Sequence, residues 1–251
     1  MSKVAFDACA DDYDQYAAIM QFIGQQIIER LSYIKLNPSL VLDLGCGTGT
    51  LTHALAERYP LAKVIGLDHS SKMLSKAKPA TNIDYQLASL EQLPFEEASV
   101  DLAVANVVLP FVQDREQSLL EMKRVLKPGG LLMFSSLGVG SFDVFPDEIK
   151  AALTGDFMDM HHLGDHLLKV GFSDPVVDMR PLTVKYASLF QLVNEFQKMG
   201  ILDRSLVVED DHSAIDIELE VVQGQAWGSL SDTSPDGNGD QTFPLKWFKK
   251  S

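Results

Sequence analysis

The stretch Leu40-Val-Leu-Asp-Leu-Gly-Cys-Gly-Thr-Gly49 decides the fold. Its first half is apolar except for Asp43, which is typical of a strand buried in a parallel sheet. The three glycines predict a sharp turn whose backbone lies close to a ligand, because a Cβ there would intrude. Leu51 and Leu55 then begin a helical apolar stripe. A strand, a glycine turn and a helix in this order predict the first half of a βαβ nucleotide-binding unit.

The spacing of the glycines narrows the class of ligand. A dinucleotide-binding fingerprint reads G-x-G-x-x-G and holds a pyrophosphate at the helix N-terminus. This chain has G-x-G-x-G instead, with Asp43 two positions before Gly45. A carboxylate at that position would repel a pyrophosphate and favours a cationic ligand. A tight turn that binds no ligand is the alternative interpretation of the same residues.

The glycine loop resembles the E/D-x-G-x-G-x-G motif of class I S-adenosylmethionine-dependent methyltransferases. The resemblance implies that S-adenosylmethionine is the cofactor, bound by Asp43, Gly45, Cys46, Gly47 and Gly49. It also implies an α/β fold with a Rossmann-like seven-stranded sheet, helices on both faces and an antiparallel last strand.

A second apolar run, residues 62–68, ends in Asp68. Asp68 follows Gly49 at close to the ~20-residue offset at which a carboxylate meets ribose hydroxyls in nucleotide-binding folds. Such a carboxylate accepts charge-assisted hydrogen bonds from a 2′,3′-diol. The alternative is that Asp68 caps the next helix, although Ser70 and Ser71 also suit that role.

Further cofactor contacts are implied after the second, third and fourth strands. His69 and Met73 follow Asp68, and the resemblance implies that the Met73 side chain lies against adenine. Ser89 and Leu90 follow the third strand, and the family usually has Asp where Ser89 stands, to bond the adenine amino group. Asn106, near the carboxyl end of the fourth strand, is predicted to contact the cofactor, with a capping amide as the alternative.

Composition and charge exclude several classes of protein. The 251 residues are 46% hydrophobic and 22% charged, which is typical of globular proteins. The net charge of −14 argues against general nucleic-acid binding. No apolar run reaches the ~20 residues of a membrane span, and aspartates occupy the N-terminal region where a signal peptide has its apolar core. Two cysteines without a disulfide pattern favour a reducing, cytoplasmic location.

We expect a single methyltransferase domain over 1–228 and a flexible tail over 229–251, which is rich in Ser, Asp and Gly. Residues 1–36 are expected to form a mainly helical lid, because apolar residues recur there at helical spacing. Residues 137–159 are predicted to be an insertion of loop and short helix that builds the acceptor pocket. The last strands are expected at 175–179, 182–186 and 215–222.

Segments outside the glycine loop resemble the malonyl-[acyl-carrier protein] O-methyltransferase family of biotin synthesis. They are Phe6-Asp with Tyr13-Asp14, the stretch from Glu29 to Pro38, DMHHLGDHLLKVGFSDPVVDM from Asp159 to Met179, and EVVQGQAW from Glu220 to Trp227. The resemblance implies methylation of the free carboxylate of a malonyl thioester carried by an acyl-carrier protein or by coenzyme A. Departures follow Asn106 and occur near Gly138 and at Gln223 and Gln225. A different small-molecule acceptor and a non-catalytic cofactor-binding protein therefore stay open as alternatives.

The acceptor end is assigned from the same resemblance. Tyr13 is implied to fold over the methyl-donor site, and Tyr13 and Asn106 are predicted to position the reactants. Leu109, Phe111 and Phe142 are predicted to line the substrate pocket.

Two further expectations concern metals and the carrier protein. No metal site is expected, because His161, His162 and His166 lack a supporting cysteine or a pair of carboxylates. Acyl-carrier proteins are acidic, so docking on this acidic chain requires a local basic patch. Its candidate residues are Arg115, Lys123, Arg124, Lys127, Lys150 and Lys169.

Overall fold

Seven strands form one sheet in the computed structural model, which describes residues 4–209 and 212–228. They are β1 Leu40–Leu44, β2 Lys63–Asp68, β3 Ile83–Leu87, β4 Val100–Asn106, β5 Leu126–Leu137, β6 Ser173–Tyr186 and β7 Ile215–Trp227. Their order across the sheet is β3-β2-β1-β4-β5-β7-β6. Strands β1 to β5 are parallel, and β7 is antiparallel to both β5 and β6. The predicted Rossmann-like sheet with an antiparallel last strand is confirmed.

The edge strand β6 is longer than the sequence predicted. It is a single strand of 14 residues, so the prediction of separate strands at 175–179 and 182–186 was wrong. Pro181 lies within β6 and pairs with Glu220 of β7. A strand at the edge of a sheet tolerates proline because half of its N–H groups have no partner strand.

Helices cover both faces of the sheet, as predicted. The described residues contain α1 Val4–Cys9, α2 Tyr13–Tyr16, α3 Ala18–Leu31, α4 Thr50–Arg58, α5 Ser71–Lys76, α6 Arg115–Val125, α7 Asp147–Ala151, α8 Met160–Lys169 and α9 Leu189–Lys198. Helices α3 and α4 pack their apolar residues on one face, and α6 and α8 pack theirs on the other. Because apolar residues fill both faces, the central parallel strands β1 and β4 are almost continuous apolar runs.

The N-terminal segment is mainly helical, as predicted, but it is divided into α1, α2 and α3. Asp12 stands before α2 without capping it, because its carboxylate forms an ion pair with Lys198 of α9. A contact distant in sequence thus bends the segment where local apolar periodicity predicts continuity.

The predicted insertion over 137–159 contains a 3₁₀ turn, Val139–Phe142, and helix α7. Its aromatic residues join an apolar cluster with α9 and the neighbouring ends of β6 and β7. The Phe145 and Phe196 rings, for example, lie 6.1 Å apart edge to face. Tyr13 and Tyr16 pack against the same cluster, which places the N-terminal segment beside the insertion.

The predicted tail over 229–251 lies outside the described residues. Among the helices that are described, none has the length and apolar character needed to cross a membrane.

Candidate active site

A cavity opens beside the carboxyl ends of β1, β2 and β4. Doubly wound sheets bind ligands there, where the strand order reverses. Its wall contains ten of the eleven residues predicted to bind cofactor: Asp43, Gly45, Cys46, Gly47, Asp68, His69, Met73, Ser89, Leu90 and Asn106. Gly49 lies behind the wall, between Thr48 and Thr50, which both line the cavity.

The glycine loop has the backbone geometry that its sequence predicts. Gly45, Gly47 and Gly49 have left-handed φ angles of 72°, 56° and 87°. A Cβ on Gly45 would lie 2.8 Å from the Val108 Cβ, and a Cβ on Gly49 would lie 2.8 Å from the Tyr85 Cζ. Glycine is therefore required both for the conformation and for the close approach of neighbouring side chains.

Asp43 is a buried carboxyl group that faces the cavity and is 1% exposed. Its Oδ2 accepts a 2.6 Å hydrogen bond from the Thr52 hydroxyl. Burial raises the pKa of Asp43 to about 7; the Thr52 hydrogen bond opposes this shift, and the nearby Asp68 charge adds to it. A buried carboxylate is costly unless a cation or several donors satisfy it. Asp43 is thus suited to a cationic ligand.

The charge of the cavity wall also favours a cationic ligand. Four of its described residues are acidic, and none is lysine or arginine. The acidic residues are Asp14, Asp43, Asp68 and Glu91. This arrangement favours a ligand that carries positive charge, as an ammonium or sulfonium group does.

Asp68 ties the glycine loop to α5. Its Oδ2 accepts a hydrogen bond from the Gly47 N–H at 2.9 Å, and its Oδ1 accepts one from the Ser70 N–H at 2.8 Å. Ser70 is the N-cap of α5, since its hydroxyl accepts from the Met73 N–H at 3.1 Å. Asp68 itself is not the cap. Each of its carboxylate oxygens can accept a second hydrogen bond, so two hydroxyl groups of a ligand can still bind there.

Met73 and Leu90 are apolar members of the same cavity wall and are 1% and 6% exposed. His69 is also in the wall, where its ring meets the Phe6 ring edge to face at 6.1 Å. The Ser89 hydroxyl donates a hydrogen bond to the Glu91 carboxylate, so it is already engaged within the protein.

The Asn106 amide binds other parts of the protein with both polar atoms. Its Nδ2 donates to the Met20 carbonyl at 3.0 Å, and its Oδ1 accepts from the Ser135 hydroxyl at 2.7 Å. Asn106 thus fixes α3 against the end of β4, while part of its side chain remains in the cavity wall.

The N-terminal segment crosses the cavity beside the glycine loop. The half-buried Tyr13 places its Cε1 4.0 Å from where a Gly47 Cβ would lie. Burial raises the pKa of the Tyr13 phenol, so the hydroxyl stays protonated at neutral pH. Asp14 accepts a 2.6 Å hydrogen bond from the Thr48 hydroxyl within the loop.

Three more aspartates hold this segment to the rest of the fold. Asp7 accepts a hydrogen bond from the Ser70 hydroxyl at 2.5 Å. Asp11 forms an ion pair with Lys76 at 2.7 Å, and Asp12 forms one with Lys198. Ser70 is the N-cap of α5, Lys76 is its last residue, and Lys198 is the last residue of α9. The segment is therefore tied to both helices.

Known proteins of similar sequence identify the family. A family model described as a methyltransferase domain matches residues 42–134. Malonyl-[acyl-carrier protein] O-methyltransferase 1 of Coxiella burnetii is 33% identical, over 97% of this chain and 93% of that protein. The chain belongs to the malonyl-[acyl-carrier protein] O-methyltransferase family. Another member, from Legionella pneumophila, is 36% identical over 78% of this chain and 72% of its own length.

Solved structures share the fold of this family member at low sequence identity. The YcgJ protein of Bacillus subtilis has a TM-score of 0.64 and 15% identity, covering 84% of this chain and 99% of that one. Phosphoethanolamine N-methyltransferase 2 of Haemonchus contortus, solved with S-adenosyl-L-methionine, has a TM-score of 0.57 and 18% identity. That match covers 83% of this chain and 52% of the other. These likenesses support the methyltransferase fold.

The acceptor residues predicted for this family member are only partly brought together. Phe111 lines the cavity, and the centroid of its ring lies 5.1 Å from that of Phe6 and 5.9 Å from that of Phe157. Leu109 and Phe142 are 1% and 2% exposed and lie outside the cavity wall. The ring centroids of Phe142 and Phe157 lie 4.5 Å apart, and Phe157 in turn contacts Phe111 of the wall.

The cavity wall also contains residues that the sequence did not predict, among them Glu91, Thr154 and Met199. Glu91 could have been predicted from the sequence, because it lies two positions after Ser89 in a segment already assigned to the cofactor. Thr154 and Met199 could not, because tertiary contacts place them. The Thr154 N–H, for example, donates to the carbonyl of Ile201, which is distant in sequence and two residues after Met199.

Four of the six basic residues expected to dock an acidic carrier protein are paired with carboxylates. These pairs are Arg115–Asp156 at 3.1 Å, Arg124–Glu121 at 2.6 Å, Lys127–Asp101 at 2.7 Å and Lys169–Glu116 at 2.6 Å. Lys123 and Lys150 have no carboxylate within ion-pair distance in the described part of the chain. Of these two, Lys150 lies in α7, within the insertion beside the cavity.

Proposed function

We propose that the protein methylates the free carboxylate of a malonyl group held as a thioester on an acyl-carrier protein. The observation that carries the proposal is the 33% identity to the Coxiella burnetii enzyme over 97% of this chain and 93% of that protein. The product is a methyl ester, in which the negative charge of the malonyl group is masked. A masked carboxylate is what the pimeloyl stage of biotin synthesis requires, because the growing acyl chain must pass through fatty-acid elongation enzymes.

S-adenosylmethionine is the methyl donor, and when bound it supplies a methyl group activated by a sulfonium charge. We assign its methionine ammonium group to Asp43, whose buried carboxylate has no cationic partner in the described residues. The ribose hydroxyls are assigned to Asp68, which keeps a free acceptor position on each oxygen. We assign the adenine to the part of the wall that contains the apolar side chains of Met73 and Leu90.

The acceptor requires no general base. Carboxyl groups titrate near pH 4, so the malonyl carboxylate is already an anion at neutral pH. The protein has to align this oxygen with the methyl group and keep water away. The protonated Tyr13 hydroxyl can donate a hydrogen bond that orients the carboxylate. The described residues of the wall include no lysine or arginine, so they leave the nucleophile free of a strong ion pair, which would lower its reactivity.

Asn106 and the N-terminal segment act as positioning elements in this proposal. Asn106 holds α3 in place through the Met20 carbonyl, and α3 carries part of the cavity wall. Residues 1–36 serve as a lid on a single domain over 1–228, supported by the contacts of Asp7, Asp11, Asp12 and Asp14. A closed lid excludes water from the reacting groups.

Intact-mass spectrometry of the carrier protein tests the proposed reaction. Malonyl-acyl-carrier protein, incubated with the full-length protein and S-adenosylmethionine, should gain the mass of one CH₂ group. Acetyl-acyl-carrier protein has no free carboxylate and should gain nothing. If calorimetry shows cofactor binding but neither malonyl-acyl-carrier protein nor malonyl-coenzyme A gains mass, the assigned acceptor is wrong.

A further inference from the structure

Glu91 holds a carboxylate at the cavity wall between two loops. It lies in the connection after β3, next in sequence to Leu90 of the cavity wall. One carboxylate oxygen accepts a hydrogen bond from the Ser89 hydroxyl, and the other accepts from the Gln113 N–H at 2.8 Å. Gln113 belongs to the loop after β4 and also lines the cavity. Hydrogen bonds from both connections therefore hold this carboxylate in place.

The Glu91 carboxylate is ionised and has acceptor capacity to spare. Burial raises the pKa of Glu91, but hydrogen bonds from Ser89 and from the Gln113 backbone outweigh burial and hold the pKa below its ordinary value. No lysine or arginine of the described residues lies within ion-pair distance of it. The Oε1 atom also accepts from the Asp114 N–H at 3.4 Å. The Oε2 atom has Ser89 as its donor and can accept a further hydrogen bond from a ligand in the cavity.

We infer that Glu91 accepts a hydrogen bond from the exocyclic amino group of adenine and so selects the base of the cofactor. This inference rests on the proposed use of S-adenosylmethionine. In related enzymes an aspartate at the position of Ser89 has this role, and Ser89 lacks the charge for it. Here the hydroxyl of Ser89 orients the Glu91 carboxylate, which supplies the charge two residues later.

The chemistry of the base gives this assignment a specific consequence. Adenine presents N–H donors at its 6-position, whereas hypoxanthine presents a carbonyl oxygen there. A carboxylate attracts the first and repels the second. The site should therefore prefer S-adenosylhomocysteine to S-inosylhomocysteine, and Glu91 should be the source of that preference.

Calorimetric titration with these two ligands tests the assignment without any turnover. Wild-type protein should bind S-adenosylhomocysteine more tightly, and Glu91→Gln should reduce the ratio of the two affinities by about tenfold or more, the typical effect of one hydrogen bond to a charged group. The neutral amide keeps the shape of the side chain but can pair with either base. Glu96→Gln is the matched control, because Glu96 is an exposed carboxylate of the same connection outside the cavity wall, and it should leave the ratio unchanged.

The affinity ratio separates base selection from a purely structural role. If Glu91 only joins the two loops, Glu91→Gln will weaken the binding of both ligands equally. An unchanged ratio of the two affinities therefore overturns the inference. Ser89→Ala is a second variant in case Glu91→Gln does not fold, and it should lower the ratio in the same direction. Ser89→Asp combined with Glu91→Gln should restore the preference for adenine. If wild-type protein binds neither ligand, the cofactor assignment in the proposed function fails together with this one.

Discussion

Lowering the pH from 8 to 6 should weaken S-adenosylmethionine binding through Asp43. Burial raises the pKa of this carboxyl to about 7. By the titration curve, the group is about 90% ionised at pH 8 and about 10% ionised at pH 6. If only the carboxylate binds the ammonium group, the affinity falls roughly tenfold, or about 1.4 kcal/mol.

The stability of the free protein should change in the opposite direction. The folded pKa of Asp43 lies above its unfolded value near 4, so the folded state holds the extra proton between these two values. The contribution of Asp43 to the free energy of unfolding therefore decreases as the pH rises from about 4 to about 7. Cofactor binding should offset this loss, because it stabilises the ionised form.

Isothermal calorimetry at pH 6, 7 and 8 on wild-type protein and on Asp43→Asn measures this effect. The asparagine can still accept the hydrogen bond from Thr52 but does not titrate. Titration of the cofactor's own amino group affects both proteins equally and cancels in the ratio of their affinities. Cys46 stays protonated in this range, since burial raises the pKa of its thiol. Equal pH dependence in the two proteins would refute the role given to Asp43.

Three further predictions address the ribose contact, the glycine loop and the docking surface. Asp68→Ala should weaken cofactor binding by about 1–3 kcal/mol by calorimetry, through the loss of charged hydrogen bonds, and unchanged affinity would mean that the ribose contact is misassigned. Gly49→Ala should lower the free energy of unfolding by about 1–3 kcal/mol, because it adds backbone strain and a clash with Tyr85. Gly129→Ala, with a similar φ of 75° but no atom within 4 Å of the new Cβ, should cost less in the same urea titration, and an equal cost would rule out the clash. Turnover of malonyl-acyl-carrier protein should fall from low to moderate salt, and Lys150→Gln should raise its KM more than Lys169→Gln, whose lysine is already paired with Glu116. Salt-independent turnover would contradict a basic docking patch.

The cofactor half of the site was predictable because its determinants are local in sequence. The positive φ angles of the glycine loop follow from the G-x-G-x-G pattern, and the place of Asp68 follows from the length of one βαβ unit. Ser89 lines the cavity, but its hydrogen bond to Glu91 depends on side-chain directions that spacing does not encode.

The acceptor half was less predictable because long-range contacts build it. Leu109 and Phe111 are neighbours in one 3₁₀ turn, yet only Phe111 reaches the cavity. Thr154 and Met199 come from separate elements that meet through tertiary packing. The N-terminal bend depends on the pairing of Asp12 with Lys198, which no local pattern reveals.

The central claim is that the methyl group goes to a carboxylate oxygen of the malonyl thioester. Carbon-13 NMR of malonyl-acyl-carrier protein, after reaction with S-adenosylmethionine labelled in its methyl group, tests this claim most directly. We predict a single labelled O-methyl ester signal that disappears on mild alkaline hydrolysis. A labelled methyl group on the malonyl α-carbon, or no labelled carrier protein while the cofactor is bound, would contradict the claim.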